Sequence, residues 1–351
     1  MLFRTRRQVL ASLSVATAAL PFLGFTSVPA AEKVPKILLP PRLKAGDTVG
    51  LICPAGAAFS REAVQITKES MEALGLKVKL GQHVFDRYGY LAGTDQARAA
   101  DVNAMFADKT VQGILAIHGG WGCARLLPLL DYKTIQKNPK PLIGYSDITA
   151  LLLAITAKTG LVTFHGPVGS ATWNKFSVDS FRQVLFEASP VLFQNPKELG
   201  DNLTLTKDRI TTITPGTARG KLVGGNLTVL TAIIGSDYLP HWKDAILFLE
   251  DTNEAVYRVD RMLTQLKLAG VLDQVKGVVF GKCSDCEPGK GGYGSLTLEE
   301  VLEHHLQPLK VPVYTGAMIG HITHKFTVPV GAEAEMDATQ GTIRLLGTAV
   351  A

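Results

Sequence analysis

The 351-residue sequence has few cysteines, few aromatic residues and little net charge. Aromatic residues make up 7% of the chain and charged residues 19%, and neither a glycine triplet repeat nor a sustained heptad pattern occurs. These absences exclude a collagen-like protein and a coiled coil. Apolar residues make up 46% of the chain, which excludes a disordered protein and is enough for a large buried core. The length suggests two domains.

The first thirty residues lack any acidic residue and contain Arg4, Arg6 and Arg7. The pair Arg6-Arg7 precedes a weakly apolar run over 9–25, which is short for a spanning helix of about 20 apolar residues. This pattern is typical of a twin-arginine signal peptide, and small residues place the predicted cleavage site after Ala30. We therefore expect a periplasmic protein. The alternative is an uncleaved N-terminal membrane anchor.

Removal of that segment with its three arginines would lower the formal charge from +5 to +2. So mild a charge argues against a nucleic-acid-binding surface. No later apolar run is longer than a buried strand or helix, so the exported body is expected to be soluble, without stable membrane insertion.

The four cysteines include one pair, Cys283 and Cys286, with the spacing of a redox motif or half of a zinc site. A zinc site needs further ligands, and the sequence has no second C-x-x-C. We predict two ordinary thiols at 283 and 286, and neither a metal nor a cofactor.

Strands and helices alternate through the first half of the mature chain. The pattern predicts strands over 48–52, 77–80, 113–117 and 141–143, and helices over 61–74, 96–106 and 148–158. Such alternation is typical of a Rossmann-like parallel sheet with helices on both faces. We predict an N-terminal α/β domain over 31–171.

The periodicity is lost between residues 172 and 219, which we interpret as a linker region. Beyond it, a C-terminal mixed α/β domain is predicted over 220–351. Its predicted elements are helices over 227–234, 256–268 and 298–306, strands over 245–249, 275–280 and 311–314, and a hairpin around 337–341.

A serine, Ser146, lies where the strand ending at Ile143 turns into a helix. The turn resembles the nucleophile elbow G-x-S-x-G, although Ile148 replaces the last glycine. The helix N-terminus behind such a serine offers free N–H groups where an oxyanion would form. The alternative is an ordinary N-cap serine.

A nucleophilic serine needs a base and a group that orients it. Four histidines follow apolar strands, where α/β folds place their sites, namely His118, His165, His321 and His324. Glu250 ends an apolar strand, where an unpaired carboxylate would be costly. Its alternative role is an ion pair with Arg258 or Arg261.

The glycine pair Gly119-Gly120 follows a strand but lacks the G-x-G-x-x-G spacing of a dinucleotide site. We interpret it as a turn that presents backbone N–H groups, and therefore as a second candidate oxyanion donor.

Several motifs occur together in a fixed order between about residue 46 and residue 331. They are Tyr90 to Asp95, Gly119 to Gly122, Pro141 to Thr149, Phe164 to Pro167, Gly224 to Leu227, Leu247 to Asp251, Tyr257 to Arg261, Gly320-His321 and Val328 to Gly331. On this set the sequence resembles the LD-carboxypeptidase family of serine peptidases, which includes the microcin C immunity peptidases. One departure is His118, where the family commonly has arginine before the two glycines.

The resemblance implies a triad of Ser146 as nucleophile, His321 as base and Glu250 as orienting acid. It also implies an oxyanion hole from the N–H of Asp147 and the Gly119-Gly120 turn, and an active site in the cleft between two domains. The implied substrate is a murein peptide, cut between an L-centre, that of meso-diaminopimelate in a tetrapeptide, and a terminal D-alanine.

Three more residues are candidates for substrate binding: Trp121, Arg125 and His324. For Arg125 a salt bridge is the competing role. A homodimer is compatible with the sequence. Two rival functions remain open: a related amidase or esterase of the immunity type, and an exported solute-binding protein, which would also be α/β and two-domain but would need no nucleophile.

Overall fold

The computed structural model describes residues 35–288 and 294–351. The predicted signal peptide therefore lies outside the described residues. Within them, no helix has the length and apolarity to cross a membrane.

The described residues form two β-sheets with associated helices. The strands are β1 (Thr48–Ile52), β2 (Lys77–Leu80), β3 (Gly113–Ala116), β4 (Leu142–Gly144), β5 (Thr163–His165), β6 (Leu192–Gln194), β7 (Thr211–Thr214), β8 (Thr217–Asn226), β9 (Ile246–Thr252), β10 (Gly277–Ser284), β11 (Val313–Thr315), β12 (Val328–Val330), β13 (Glu333–Asp337) and β14 (Thr342–Leu345). The α-helices are α1 (Arg61–Ala73), α2 (Asp95–Ala107), α3 (Tyr132–Lys137), α4 (Thr149–Thr159), α5 (Lys175–Leu185), α6 (Leu227–Ala232), α7 (Val256–Leu268) and α8 (Leu298–Leu306).

The first sheet has the strand order β12-β5-β4-β3-β1-β2. Strands β1 to β5 are parallel, as predicted, and β12 pairs antiparallel with β5. The carboxyl ends of parallel strands lie at one edge of a sheet, where α/β folds bind ligands. This edge carries the glycine pair after β3, Ser146 after β4 and His165 at the end of β5.

The second sheet has the order β6-β14-β13-β8-β9-β10-β11-β7. Its central strands β8 to β11 are parallel, and the outer strands pair antiparallel. Glu250 lies near the end of β9, and His321 lies in the loop between β11 and β12.

The region 172–219, interpreted from composition as a linker, contains regular structure. It forms α5, β6 and β7 and begins β8. Asn174 caps α5 by accepting a hydrogen bond from the N–H of Ser177. Strands β6 and β7 then complete the two edges of the second sheet, so this segment is part of the fold. Its role as a linker between two domains stays a prediction.

Helix α4 is buried on nearly all sides. Every residue from Thr149 to Thr156 is buried, as expected for a helix that is apolar around its whole circumference. It contacts β4, β5 and β12 of the first sheet and β8 of the second. At its start, the Thr149 hydroxyl accepts a hydrogen bond of 3.0 Å from the N–H of Asn226, at the end of β8. This contact joins the carboxyl ends of β4 and β8, and with them the two sheets.

Candidate active site

Ser146 lies on the turn between β4 and α4 with a φ of +64°. A non-glycine residue rarely adopts this left-handed region, and where it does, the strain often marks a functional site. The residue that caps α4 is Ile148, which makes no side-chain capping bond. Among the described residues, the Ser146 hydroxyl has no hydrogen-bond partner within 3.5 Å. The N-cap alternative for this serine is therefore wrong.

The Gly119-Gly120 turn contacts Ser146 closely. A Cβ atom on Gly119 would lie 2.9 Å from the Ser146 hydroxyl oxygen, so any side chain here would collide with it. The Gly119 carbonyl accepts hydrogen bonds from the Gly56 N–H at 3.2 Å and from His118 Nδ1 at 2.9 Å. Because a trans peptide points its C=O and N–H in opposite directions, the N–H of Gly120 points away from Gly56. It donates to no acceptor in the described part of the chain.

The side chain of Asp147 has a structural contact. Its Oδ2 accepts a hydrogen bond of 2.8 Å from the backbone N–H of Cys123, which holds the loop after the glycine pair. Burial raises the pKa of the Asp147 carboxyl. The backbone N–H of Asp147 makes no hydrogen bond to the described residues, so it is available to a ligand.

Glu250 and His321 form a hydrogen-bonded pair. His321 Nδ1 lies 2.7 Å from Glu250 Oε2, and the glutamate is completely buried. Gly320 has a φ of +135°, and a Cβ there would lie 3.2 Å from Glu250 Oε2, so a glycine is needed beside the pair. The alternative ion pair of Glu250 with Arg258 or Arg261 is wrong, because its carboxylate faces histidines.

A second histidine, His165, faces the other oxygen of the same carboxylate. Its Nε2 lies 3.6 Å from Glu250 Oε1, and both atoms are buried without another partner in the described chain. Burial by itself would raise the pKa of Glu250, but the contacts with His165 and His321 outweigh it and lower the pKa to about 2. Glu250 is therefore ionised at neutral pH.

Tyr145 connects Ser146 to this pair. Its ring centroid lies 4.8 Å from that of His321 and 6.1 Å from that of His165, both in edge-to-face geometry. Burial, with a contribution from Glu250, raises the pKa of Tyr145 to about 12. The phenol therefore stays neutral. Ser146, at the carboxyl edge of the first sheet, thus lies next to a residue in contact with the His321 ring.

The observed contacts of the three candidate substrate-binding residues are with residues other than Ser146, Glu250 and His321. The side chain of Arg125 is 54% exposed and forms an ion pair of 2.9 Å with Asp95. This is the salt bridge that was its alternative role. Trp121 is exposed, in edge contact with Tyr90 at 5.7 Å. His324 packs edge-on against Phe176, with the centroids 6.1 Å apart.

Sequence reasoning left Arg98 and Lys325 without a role. Arg98 is buried, and it donates to the carbonyls of Pro54 and Gly122 and to Asp95, which fixes the glycine loop. Lys325 is 5% exposed, and its Nζ lies 3.9 Å from the ring centroid of Tyr145. Arg98 lies on α2, three residues after the segment Tyr90 to Asp95 that carries part of the family resemblance. No sequence signal singled out Lys325.

The prediction of two ordinary thiols at 283 and 286 is wrong. Cys283 and Cys286 form a disulfide, whereas Cys53 and Cys123 are free and buried. Between the bridged cysteines, the Ser284 hydroxyl donates a hydrogen bond of 2.9 Å to the carbonyl of His321. In the described residues, no group of three or more His, Cys, Asp or Glu side chains could hold a metal ion.

Comparison with known proteins shows two family matches and several close relatives. Residues 49–166 match the LD-carboxypeptidase N-terminal domain, and residues 219–336 match the LD-carboxypeptidase C-terminal domain. The chain is 39% identical to a probable murein peptide carboxypeptidase of Bacillus subtilis, over 86% of this chain and 92% of the relative.

Solved structures of similar proteins have the same architecture. The microcin C7 self-immunity protein MccF, known from Escherichia coli, was solved in complex with aspartyl sulfamoyl adenosine; it has a TM-score of 0.81 at 29% identity, over 90% of this chain and 100% of that one. The muramoyltetrapeptide carboxypeptidase from Oxalobacter formigenes has a TM-score of 0.72 at 27% identity, over 85% of this chain and 97% of that one. The predicted two-domain α/β fold is thereby confirmed.

Proposed function

The chain belongs to the LD-carboxypeptidase family and is a hydrolase that acts as a carboxypeptidase, and from this premise we propose that it releases the terminal D-alanine from a murein tetrapeptide. One observation carries the proposed mechanism. A strained Ser146, just before a buried helix, lies beside the glycine turn, and the preceding residue, Tyr145, contacts the His321 ring of the Glu250–His321 pair.

In this mechanism His321 is the base that activates Ser146. An ionised carboxylate only accepts hydrogen bonds, so His321 Nδ1 must carry the proton that Glu250 accepts. The neutral imidazole therefore has its free lone pair on Nε2, which can take the proton of the serine hydroxyl. When His321 becomes positively charged, the buried carboxylate stabilises the charge.

The backbone supports the oxyanion. The free N–H groups of Asp147 and Gly120 are the candidate donors, and the positive N-terminal end of α4 adds to the potential there. Ser146 attacks the carbonyl of the L-centre, the peptide nitrogen leaves as D-alanine with a proton from His321, and an acyl ester remains on the serine. Water, deprotonated by His321, then hydrolyses the ester and restores Ser146.

The test is incubation with purified muropeptides, followed by mass spectrometry. We expect D-alanine release from tetrapeptide stems and no cleavage of the D-Ala–D-Ala bond of pentapeptides. A Ser146→Ala variant is the control for contaminating peptidases. The reverse pattern would identify a DD-peptidase and contradict the substrate, and an inert Ser146 towards a fluorophosphonate probe would contradict the mechanism.

A second candidate function is an immunity-type peptidase, supported by the structural similarity to MccF. Aspartyl sulfamoyl adenosine, the compound bound in that structure, discriminates the two. Hydrolysis of this compound with no release of D-alanine from tetrapeptide would favour the immunity type.

We also propose that the protein acts in the periplasm after twin-arginine export. The support is the pair Arg6-Arg7 and the predicted cleavage after Ala30. Replacing both arginines with lysine should keep the precursor in the cytoplasm. Unchanged periplasmic protein would point to another route, and a retained N-terminus in membranes would favour the anchor.

A further inference from the structure

A carboxypeptidase has to recognise the free carboxylate of its substrate. In a C-terminal residue, this carboxylate lies within about one residue length, ~3.8 Å, of the scissile peptide. A cation that binds it must therefore lie close to the nucleophile. This requirement limits the candidates to cationic side chains packed around the Ser146 turn.

Most basic side chains in this region already have partners. Arg125 pairs with Asp95, and Arg98 is held by two carbonyls and the same aspartate. Neither arginine is free to bind a substrate carboxylate without first breaking these contacts. The side chain of Lys282 makes no ion pair or hydrogen bond in the described ranges and is attracted to Asp208 only through space, but no observed contact places it against Tyr145 or Ser146.

Lys325 differs from them. It is 5% exposed, yet its ammonium makes no hydrogen bond or ion pair with any residue in the described ranges. Its Nζ lies 3.9 Å from the ring centroid of Tyr145, the residue before Ser146, and the same ring contacts His321. The ammonium at the end of this buried stem lies against an aromatic face and has no charged or hydrogen-bonded partner in the described ranges, so it can pair directly with an anionic ligand.

The backbone fixes the position of this lysine. The N–H of Lys325 donates a hydrogen bond of 3.1 Å to the Ser177 hydroxyl on α5, and the N–H of Phe326 bonds the Met318 carbonyl at 2.8 Å. Because the stem is buried, little rotamer freedom remains to be lost on binding. Burial lowers the pKa of Lys325 to about 8, so the ammonium is charged at neutral pH.

The nearest carboxylate cannot take the place of a ligand. Both oxygens of Glu250 face histidine nitrogens, at 2.7 and 3.6 Å. Its charge attracts the ammonium only through space, without a contact between them. The charge of Lys325 is therefore still available for a direct hydrogen bond.

We infer that Lys325 binds the C-terminal carboxylate of the substrate and so determines that the enzyme is an exopeptidase. This inference rests on the proposed function. The carboxylate would accept a charge-assisted hydrogen bond from Nζ, while the Tyr145 ring holds the other side of the ammonium. A substrate whose terminal carboxylate is an amide would leave the lysine unpaired and bind poorly.

The experiment compares a tetrapeptide with its C-terminal amide. In a Ser146→Ala background, which removes turnover, calorimetry should show the acid binding about 10–100-fold more tightly than the amide. Adding Lys325→Met should reduce this ratio to near one, and Lys325→Arg should restore part of it. Lys175→Met is the matched control, because Lys175 is 88% exposed in its side chain and, within the described ranges, forms an ion pair with Asp179 alone.

Kinetics give a second measurement. With Ser146 present, Lys325→Met should raise KM for the acid about 10–100-fold and change kcat much less, since the lysine contacts no reacting atom. Labelling of Ser146 by a neutral fluorophosphonate should be as fast in Lys325→Met as in the wild type, which shows that the site is intact.

The two proposals fail in different ways. An acid-over-amide preference that survives in Lys325→Met, or equal binding of both peptides when Lys325 is present, overturns the inference. If the preference depends on Lys325 but wild-type protein releases no D-alanine, the carboxylate site stands and the proposed substrate is wrong.

Discussion

Replacement of Glu250 by glutamine tests the centre of the proposed mechanism. Glutamine has nearly the same volume, so no cavity forms at this fully buried position. The change removes the negative charge that stabilises a protonated His321. The NH₂ group of the glutamine can also donate to Nδ1 of His321, which selects the tautomer with its proton on Nε2. In the serine protease triad, the corresponding change of acid to amide lowers kcat about 10⁴-fold. We expect kcat to fall about 10³- to 10⁴-fold, which is about 4–5.5 kcal/mol in the barrier.

The assay is D-alanine release at saturating tetrapeptide, with thermal unfolding measured in parallel. KM should change little, because Glu250 lies behind the histidine and does not face the substrate. The matched control is Glu335→Gln, which breaks a surface ion pair of 2.6 Å with Arg219 and should cost less than about 1 kcal/mol of stability, with full activity. A Glu250→Gln enzyme within tenfold of the wild-type kcat would refute the reasoning.

The same variant has a predicted pH signature. The pKa of Glu250 in the folded protein is lowered to about 2 from an ordinary value of 4.5. Its ionised form therefore stabilises the fold fully above pH 4.5, and this contribution is lost as the pH falls towards 2. Acid unfolding should show the stability of the wild type decreasing relative to Glu250→Gln over this range. A difference that stays constant with pH would contradict the low pKa.

Both Ser146→Ala and Ser146→Gly should abolish turnover. The Ser146→Gly variant should also be about 1 kcal/mol more stable than Ser146→Ala, because glycine tolerates the positive φ at this position. Equal melting temperatures of the two variants would argue against strain at Ser146. His321→Ala should be inactive and His324→Ala should keep most of its kcat; equal loss in both would put the base in doubt. Reduction of the Cys283–Cys286 disulfide should lower kcat several-fold and reversibly, because the bridged loop bonds the His321 carbonyl; unchanged kcat in the reduced protein would limit the bridge to a structural role.

Local sequence patterns predicted many elements well. Strands β1 and β2 and helices α7 and α8 have the predicted bounds, and Thr297 and Glu300 form a capping box at the start of α8. The turn at Ser146 was also visible, because it depends on a strand, a small polar residue and a helix that follow each other directly. Such features depend on neighbours a few residues apart, and their physics is contained in the sequence.

Elements without a local signal were missed. Strand β12 reads Val-Pro-Val, which is too short for a clear pattern. Helix α5 begins in a polar stretch that composition suggested was a linker, and its apolar face is explained only by what it packs against. Propensity is a weak guide for such segments, because tertiary contacts decide whether they form.

The sequence by itself determined which residues could do chemistry; the tertiary structure decided which of them meet. The local pattern was compatible both with Ser146 as nucleophile and with Ser146 as N-cap, and the left-handed φ and the missing capping bond exclude the N-cap role. Glu250 reaches His321 across 71 residues and also faces His165, from the other sheet, while Lys325 lies against Tyr145. These contacts follow from strand order, from register and from the burial of α4 between the two sheets. The partners of Glu250 and the absence of a charged partner for Lys325 in the described ranges depend on which side chains packing brings within a few ångströms. The spacing of residues along the chain does not determine those distances.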